Sequence, residues 1–196
     1  DRRFGNQLTH LASAEELGLP PIPEHIRPFR ETDSHGILGK EPPEHTRIRS
    51  IVQKSFMGRQ IGNFRPRIEE LSHQLIEDMQ KQKSSNLLES FATPIPITII
   101  TEMLGVPTEM SRQLLDWSHK MVRVYHLGHT YQDELDATQA TLDFTAYLKE
   151  FVEKRRSEPR DDLISQLLDA HEKGERLSEE ELIANCILLL NAGHEA

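Results

Sequence analysis

At 196 residues and a formal net charge of −9, from 23 Lys+Arg against 32 Asp+Glu, the chain suffices for one packed domain or part of a larger one, and its acidity argues against general binding to nucleic acid or anionic membranes. Hydrophobic residues make up 36% and charged residues 28%, a globular balance, and no apolar run approaches the roughly 18 residues of a membrane span. The single cysteine, Cys186, excludes an internal disulfide and fits a reducing, cytoplasmic compartment.

In chain order, residues 1–42 read as loop-rich, with Pro20, Pro21, Pro23 and Pro28 breaking any long helix. Residues 43–177 read as helices. Pro42-Pro43 opens the first, whose apolar side carries Ile48, Ile51, Val52 and Phe56. A second follows Pro66, with Ile68, Leu71, Leu75, Ile76 and Met79 at helical spacing. "ITIITEMLGVP" is strand-like in composition, but Gly105 and Pro107 mark a helix end, so a helix is expected. Thr108 is expected to cap the next segment, and "HLGHTYQDE" to separate it from a long helix ended by Pro159. "DDLISQLLDAHEKG" reads as a short amphipathic helix with acids in its first turn. The fold class is therefore mainly α.

Residues 178–196 carry the best-marked helix. Ser178 and Glu181 form a capping box, and Leu177 with Leu182 can staple across it. Its apolar residues fall on nearly every side, the pattern of a helix at the centre of a body. No C-terminal signal follows, so the sequence reads as a single partial domain cut inside that helix. The apolar run from Leu182 to Leu190 is then expected to be partly uncovered and to favour self-association.

His45 and Arg49 lie at i, i+4, on one helix face, and together suit a carboxylate. Residues 45–67 hold Arg47, Arg49, Lys54, Arg59, Arg65 and Arg67 and no acid, which suggests an anionic ligand or partner; a solvated basic face is the alternative. Gly193 inside a helix costs about 1 kcal/mol relative to Ala, unless another body must approach the backbone there. An apolar ligand at Ala192-Gly193, with Glu195 handling protons or organising water, is one reading; a helix end emerging into solvent is the other. The ten histidines fall in no HExxH or Cys-pair spacing, so a protein-built metal site is not expected.

Three stretches, "LGKEPPEHTRIRSIVQKSF", "FATPIPITIITEMLGVP" and "LLLNAGHEA", occur in an order that resembles the haem-thiolate monooxygenases, the cytochrome P450 family, in its soluble bacterial branch. The resemblance covers nearly the whole chain. It implies the helical portion of that fold, lacking the Cys-loop part and most of the small β-sheet. It also implies haem as cofactor, with His45 and Arg49 at its propionates and Arg49, more than Arg47, facing it. Ala192 and Gly193 match the small-residue gap of the family's oxygen-binding helix, Glu195 the acid of its acid–alcohol pair, and Leu188, Asn191 and Ala192 border the substrate. A ferredoxin-type electron donor is implied at the basic face around Lys54 and Arg59.

Two departures stand out. Ala196 occupies the position where the family usually has Thr, so another hydroxyl or a water would relay protons. The family's haem-ligating Cys lies in a glycine-rich loop far beyond this helix, and Cys186 has no such loop around it. The expectation is a haem-dependent monooxygenase of a small organic substrate, inactive as this stretch alone. A non-catalytic helical binding module is the alternative.

Overall fold

Helical periodicity becomes helix at nearly every stretch where the sequence places it. The protein's structure, a computed structural model, describes residue 5 and residues 12–56, 60–170 and 174–195, without the side chains of 60, 61, 63 and 195. Among these residues the helices are α1 (Arg27–His35), α2 (Glu44–Phe56), α3 (Gln60–Gln80), α4 (Pro94–Leu104), α5 (Ser111–Arg123), α6 (Tyr131–Ser157), α7 (Leu163–Asp169) and α8 (Glu179–Glu195). Short 3-10 turns cover Glu24–Ile26, Ile37–Gly39 and Thr108–Met110, and a π turn covers Leu88–Ala92. No β-strand element occurs among the described residues.

α8 is the axis of the fold, with α1, α4, α5, α6 and α7 packed around it. Leu182, Ile183, Cys186, Ile187 and Leu190 are buried in a core that also takes Phe29 of α1, Leu104 of α4, Leu114 of α5, and Phe144 and Leu148 of α6. The expected uncovering of the Leu182–Leu190 run is therefore corrected: only Leu188 and Leu189 are half-buried, because five helices already surround the rest. The capping box forms as read, with the Ser178 hydroxyl accepting the Glu181 amide at 3.1 Å and the Glu181 carboxylate accepting the Ser178 amide at 2.9 Å.

α4 ends where Gly105 turns left-handed at φ 80°, its amide reaching the Glu102 carbonyl. A side chain at that position would collide with Asp162, since a Cβ there would lie 2.2 Å from its Oδ2. Asp162 caps α7 through the Ser165 amide at 2.8 Å and accepts Arg155 Nε at 2.5 Å. Arg155 also donates to the Gly105 carbonyl at 2.8 Å and lies over the Phe151 ring. Three helix ends thus meet on one buried ion pair.

Five helix starts differ from expectation. Pro28 sits in the first turn of α1 and opens a helix within the loop-rich start, the position proline tolerates best. Pro66 lies inside α3 rather than before it; the bond it removes would reach Gly62, whose surroundings are open, so packing does not oppose the adjustment. Thr108 begins a 3-10 turn, and α5 starts after Met110 with no side-chain cap bond. α6 starts at Tyr131, earlier than read, because Thr130 and Asp133 form a capping box. Asp162 is the N-cap of α7, and no acid occupies its first turn.

Candidate functional site

One stripe of α2 carries His45, Arg49, Val52 and Phe56, spaced i, i+4, i+7 and i+11, so all four leave one face. His45 is half-buried and Arg49 exposed, and neither side chain has a hydrogen bond or ion pair among the described residues. Arg47 points elsewhere and is occupied. It donates to Glu181 Oε1 and to the Arg176 carbonyl at 3.1 Å, and lies 3.4 Å from Glu175. Arg47 therefore turns inward to α8 rather than to solvent.

Phe56, at the foot of that stripe, lines a cavity of about 320 Å³ with Pro96, Ile99, Ile100 and Met103 of α4 and Leu189, Ala192 and Gly193 of α8. A Cβ at Gly193 would lie 3.1 Å from Cγ1 of Ile100, so α4 packs tightly against α8 here. Ala192 and Gly193 remain exposed. The Asn191 side chain beside them is buried, and its Oδ1 has no hydrogen-bond partner among the described residues. Such an atom is costly unless something else supplies a donor. His194 Nδ1 approaches the Leu190 carbonyl at 2.8 Å, and its ring lies 5.5 Å from that of His119 on α5. Glu195 closes α8; its side chain lies outside the described residues, as does Ala196.

The structure brings Ala192, Gly193 and, through Phe56, the His45–Arg49 stripe toward one cavity. It turns Leu188 the other way, where the Cβ position of Gly36 lies 4.0 Å from it. Ile99, Ile100, Met103 and Leu189 were not singled out from sequence, since apolar residues in a helix read first as core. Phe56 too reads from sequence only as part of the apolar side of its helix; its place seven positions after Arg49 is the signal that points to it.

The basic face is smaller than the charge count implied. Arg65 pairs with Glu69 at 3.1 Å, and Arg67 pairs with Glu102 and Glu70, both at 2.8 Å. Acids absent from residues 45–67 are supplied by the following turns of α3, by α4 and by α8. Lys54 is exposed at the end of α2, and Arg59 lies outside the described residues. Cys186 is fully buried; burial, and secondarily the charge of Asp162, pushes its thiol up to about 12, so it is no ready thiolate. No described helix is long and apolar enough to cross a membrane, and no group of three or more His, Cys, Asp or Glu among the described residues could hold a metal ion.

Comparison with known proteins identifies the family. The family model Cytochrome P450 matches residues 20–196. The chain is 35% identical over 196 residues to the polyketide biosynthesis cytochrome P450 PksS of Bacillus subtilis, covering 100% of this chain and 46% of that protein. It is 35% identical over 162 residues to the mycinamicin IV hydroxylase/epoxidase of Micromonospora griseorubida, covering 82% of this chain and 40% of that protein. The solved structure of P450BioI in complex with an acyl carrier protein ligated to hexadec-9Z-enoic acid superposes with a TM-score of 0.83 at 29% identity, covering 90% of this chain and 45% of that one. The chain thus spans less than half the length of these relatives. With a match over nearly its whole length and the same helical architecture, the chain belongs to the cytochrome P450 family.

Proposed function

We propose that the protein is a haem-dependent monooxygenase acting on a small apolar organic substrate. One oxygen atom of O2 enters a substrate C–H bond and the other leaves as water, with two electrons from a redox partner and two protons. Haem, when bound, would supply the oxygen-activating iron. The residues present fit it: an apolar cavity floored by Ala192 and Gly193, with His45 and Arg49, donors suited to carboxylates, on the adjoining stripe.

In this reading Arg49 and His45 hold the haem carboxylates by charge-assisted hydrogen bonds. Leu189, Ile100 and Met103 keep water from the cavity, while Ala192 and Gly193 leave room against the helix backbone. Ala192 borders the substrate in this cavity, and Glu195 handles protons in the last turn of α8. Similarity to proteins named for polyketide biosynthesis and mycinamicin hydroxylation supports an organic substrate. A ferredoxin-type donor docks near Lys54 and Arg59, and a buried, reduced Cys186 suits a cytoplasmic setting.

The observation that carries the proposal is Arg49, an arginine that meets no carboxylate among the described residues, on the stripe that leads to the cavity. The intact protein, purified with haem, should show the ferrous–CO absorption of a thiolate-ligated haem, unchanged in Cys186→Ser. Failure to bind haem would defeat the proposal; loss of that absorption in the variant would make Cys186 the ligand and defeat the assignment of α8.

A further inference from the structure

Away from the cavity, three titratable side chains from three segments meet at the start of α6. Glu134, in its first turn, accepts His25 Nε2 at 2.6 Å on one oxygen and faces His129 Nε2 at 3.1 Å with the other. His129 Nδ1 lies 3.1 Å from the His126 carbonyl oxygen. Both ring nitrogens of His129 therefore face acceptors. A neutral imidazole has one N–H and satisfies only one of them, whereas the imidazolium satisfies both. In keeping with this, the carbonyl of His126 and then Glu134 raise the His129 pKa above its ordinary value. The hydrogen bond from His25 holds Glu134 below the usual carboxylate range, against burial.

The charges around the cluster are mixed. Arg30 of α1 opposes the imidazolium of His129. Arg123 of α5 lies 3.4 Å from Asp133, which the Thr130 backbone and hydroxyl already hold. Tyr131 sets its ring 4.6 Å from that of His25, and Tyr125 donates to Asp33 of α1 at 2.6 Å.

His25 belongs to a strap. Residues 24–39 run from the turn at Glu24–Ile26 through α1 to the turn at Ile37–Gly39, crossing α6 and α8. The strap's far end is tied to α8 by the Ile37 amide, which donates to Asn185 Oδ1 at 3.1 Å, and Gly36 lies close to Ala184 and Leu188. Its near end is tied by the Thr138 hydroxyl, which donates to the His25 carbonyl at 2.8 Å, and by the His25–Glu134–His129 cluster.

We propose that His25, Glu134 and His129 form a proton-dependent clasp that fastens the strap and the α5–α6 connection onto α6, and so sets how readily the strap lifts from α8 beside Leu188. The raised His129 contributes fully below the ordinary histidine pKa, and its contribution is lost as pH rises through the raised value. The lowered Glu134 contributes above the ordinary carboxylate pKa and fails as pH falls through the lowered value. The clasp is closed between these limits and opens on the alkaline side.

Amide hydrogen exchange of the intact protein between about pH 6 and about pH 9, corrected for intrinsic exchange, tests this without reference to haem or turnover. The opening constant of residues 24–39 should rise by up to about tenfold per pH unit across the His129 titration. In His129→Gln and Glu134→Gln it should lie near the alkaline wild-type value throughout, with the centre of α8 around Cys186 still protected. Protection of the strap independent of pH in the wild type would overturn the clasp. So would wild-type pH dependence in both variants, or exchange that rises through α8 as much as in the strap.

Discussion

Arg47 of α2 donates to Glu181, the carboxylate whose other oxygen accepts the Ser178 amide and closes the capping box of α8. One carboxylate thus caps the central helix and ties it to the helix carrying Arg49. Burial pushes the Glu181 pKa up, but Arg47 and the Ser178 amide outweigh it and hold the group below its ordinary value. The resulting stabilisation is present above the ordinary carboxylate pKa and is lost as pH falls through the depressed one.

Arg47→Ala should accordingly lower the free energy of unfolding by about 1.5–3 kcal/mol at neutral pH. The deficit should shrink as acid protonates Glu181. Chemical denaturation of both proteins across the acid range checks this. A deficit of the same size at every pH would show that Arg47 stabilises the fold by packing alone.

The Arg155–Asp162 pair is far more enclosed, its side chains 4% and 5% exposed. Asp162→Ala strands a buried guanidinium and removes the α7 cap, a loss of about 3–5 kcal/mol. Gly105→Ala should also destabilise, since its Cβ would collide with Asp162 at a left-handed residue. Thermal unfolding of each variant reads both effects, and a double variant should fall short of their sum because the two sites touch.

Gly193 meets α4 at Ile100, so its substitutions measure how tightly that crossing is packed. In Gly193→Ala the gain in helix propensity, about 1 kcal/mol, offsets the strain of pushing Ile100 aside. Gly193→Val should cost about 1–3 kcal/mol. Ile100→Ala in the Gly193→Val background should recover part of that loss. If the second change deepened it instead, the Ile100 contact would not be the reason for glycine.

Lys54 is an exposed cation at the end of α2, where an acidic electron donor is proposed to dock. Lys54→Glu should slow transfer of the first electron at low ionic strength, with the difference fading as salt screens the encounter. Stopped-flow reduction at two salt concentrations measures it. An unchanged rate and salt dependence would leave Lys54 part of a solvated face.

Much of this was legible in the sequence, because helices declare themselves locally. The Ser178–Glu181 box, the Gly105 stop and the i, i+4 pair of His45 and Arg49 each depend on residues within one or two turns. What sequence hid was set by distant neighbours. Arg47, Arg65 and Arg67 read as one basic face, yet Glu181 and Glu102 reach Arg47 and Arg67 from other helices, while Glu69 and Glu70 sit just past the segment that was counted. Gly193 read as a ligand gap, and its close neighbour proved to be Ile100. The start of α6 was missed for a different reason: Asp133 completes the Thr130 box in place of the Glu or Gln of the usual pattern.

The central claim is that α2 divides its arginines, Arg47 to the fold and Arg49 with His45 to the haem carboxylates. Haem retention by the intact protein, measured by transfer to an excess of apomyoglobin, tests it most directly. A charge-assisted contact of this kind is worth about 1.5–3 kcal/mol. Arg49→Ala should therefore speed haem loss by roughly 10-fold or more, His45→Ala less, and neither should change the unfolding free energy of the apoprotein by more than about 0.5 kcal/mol. Arg47→Ala should show the reverse, a destabilised apoprotein. Equal haem loss in the Arg47 and Arg49 variants at matched stability, or no loss in either, would contradict the account.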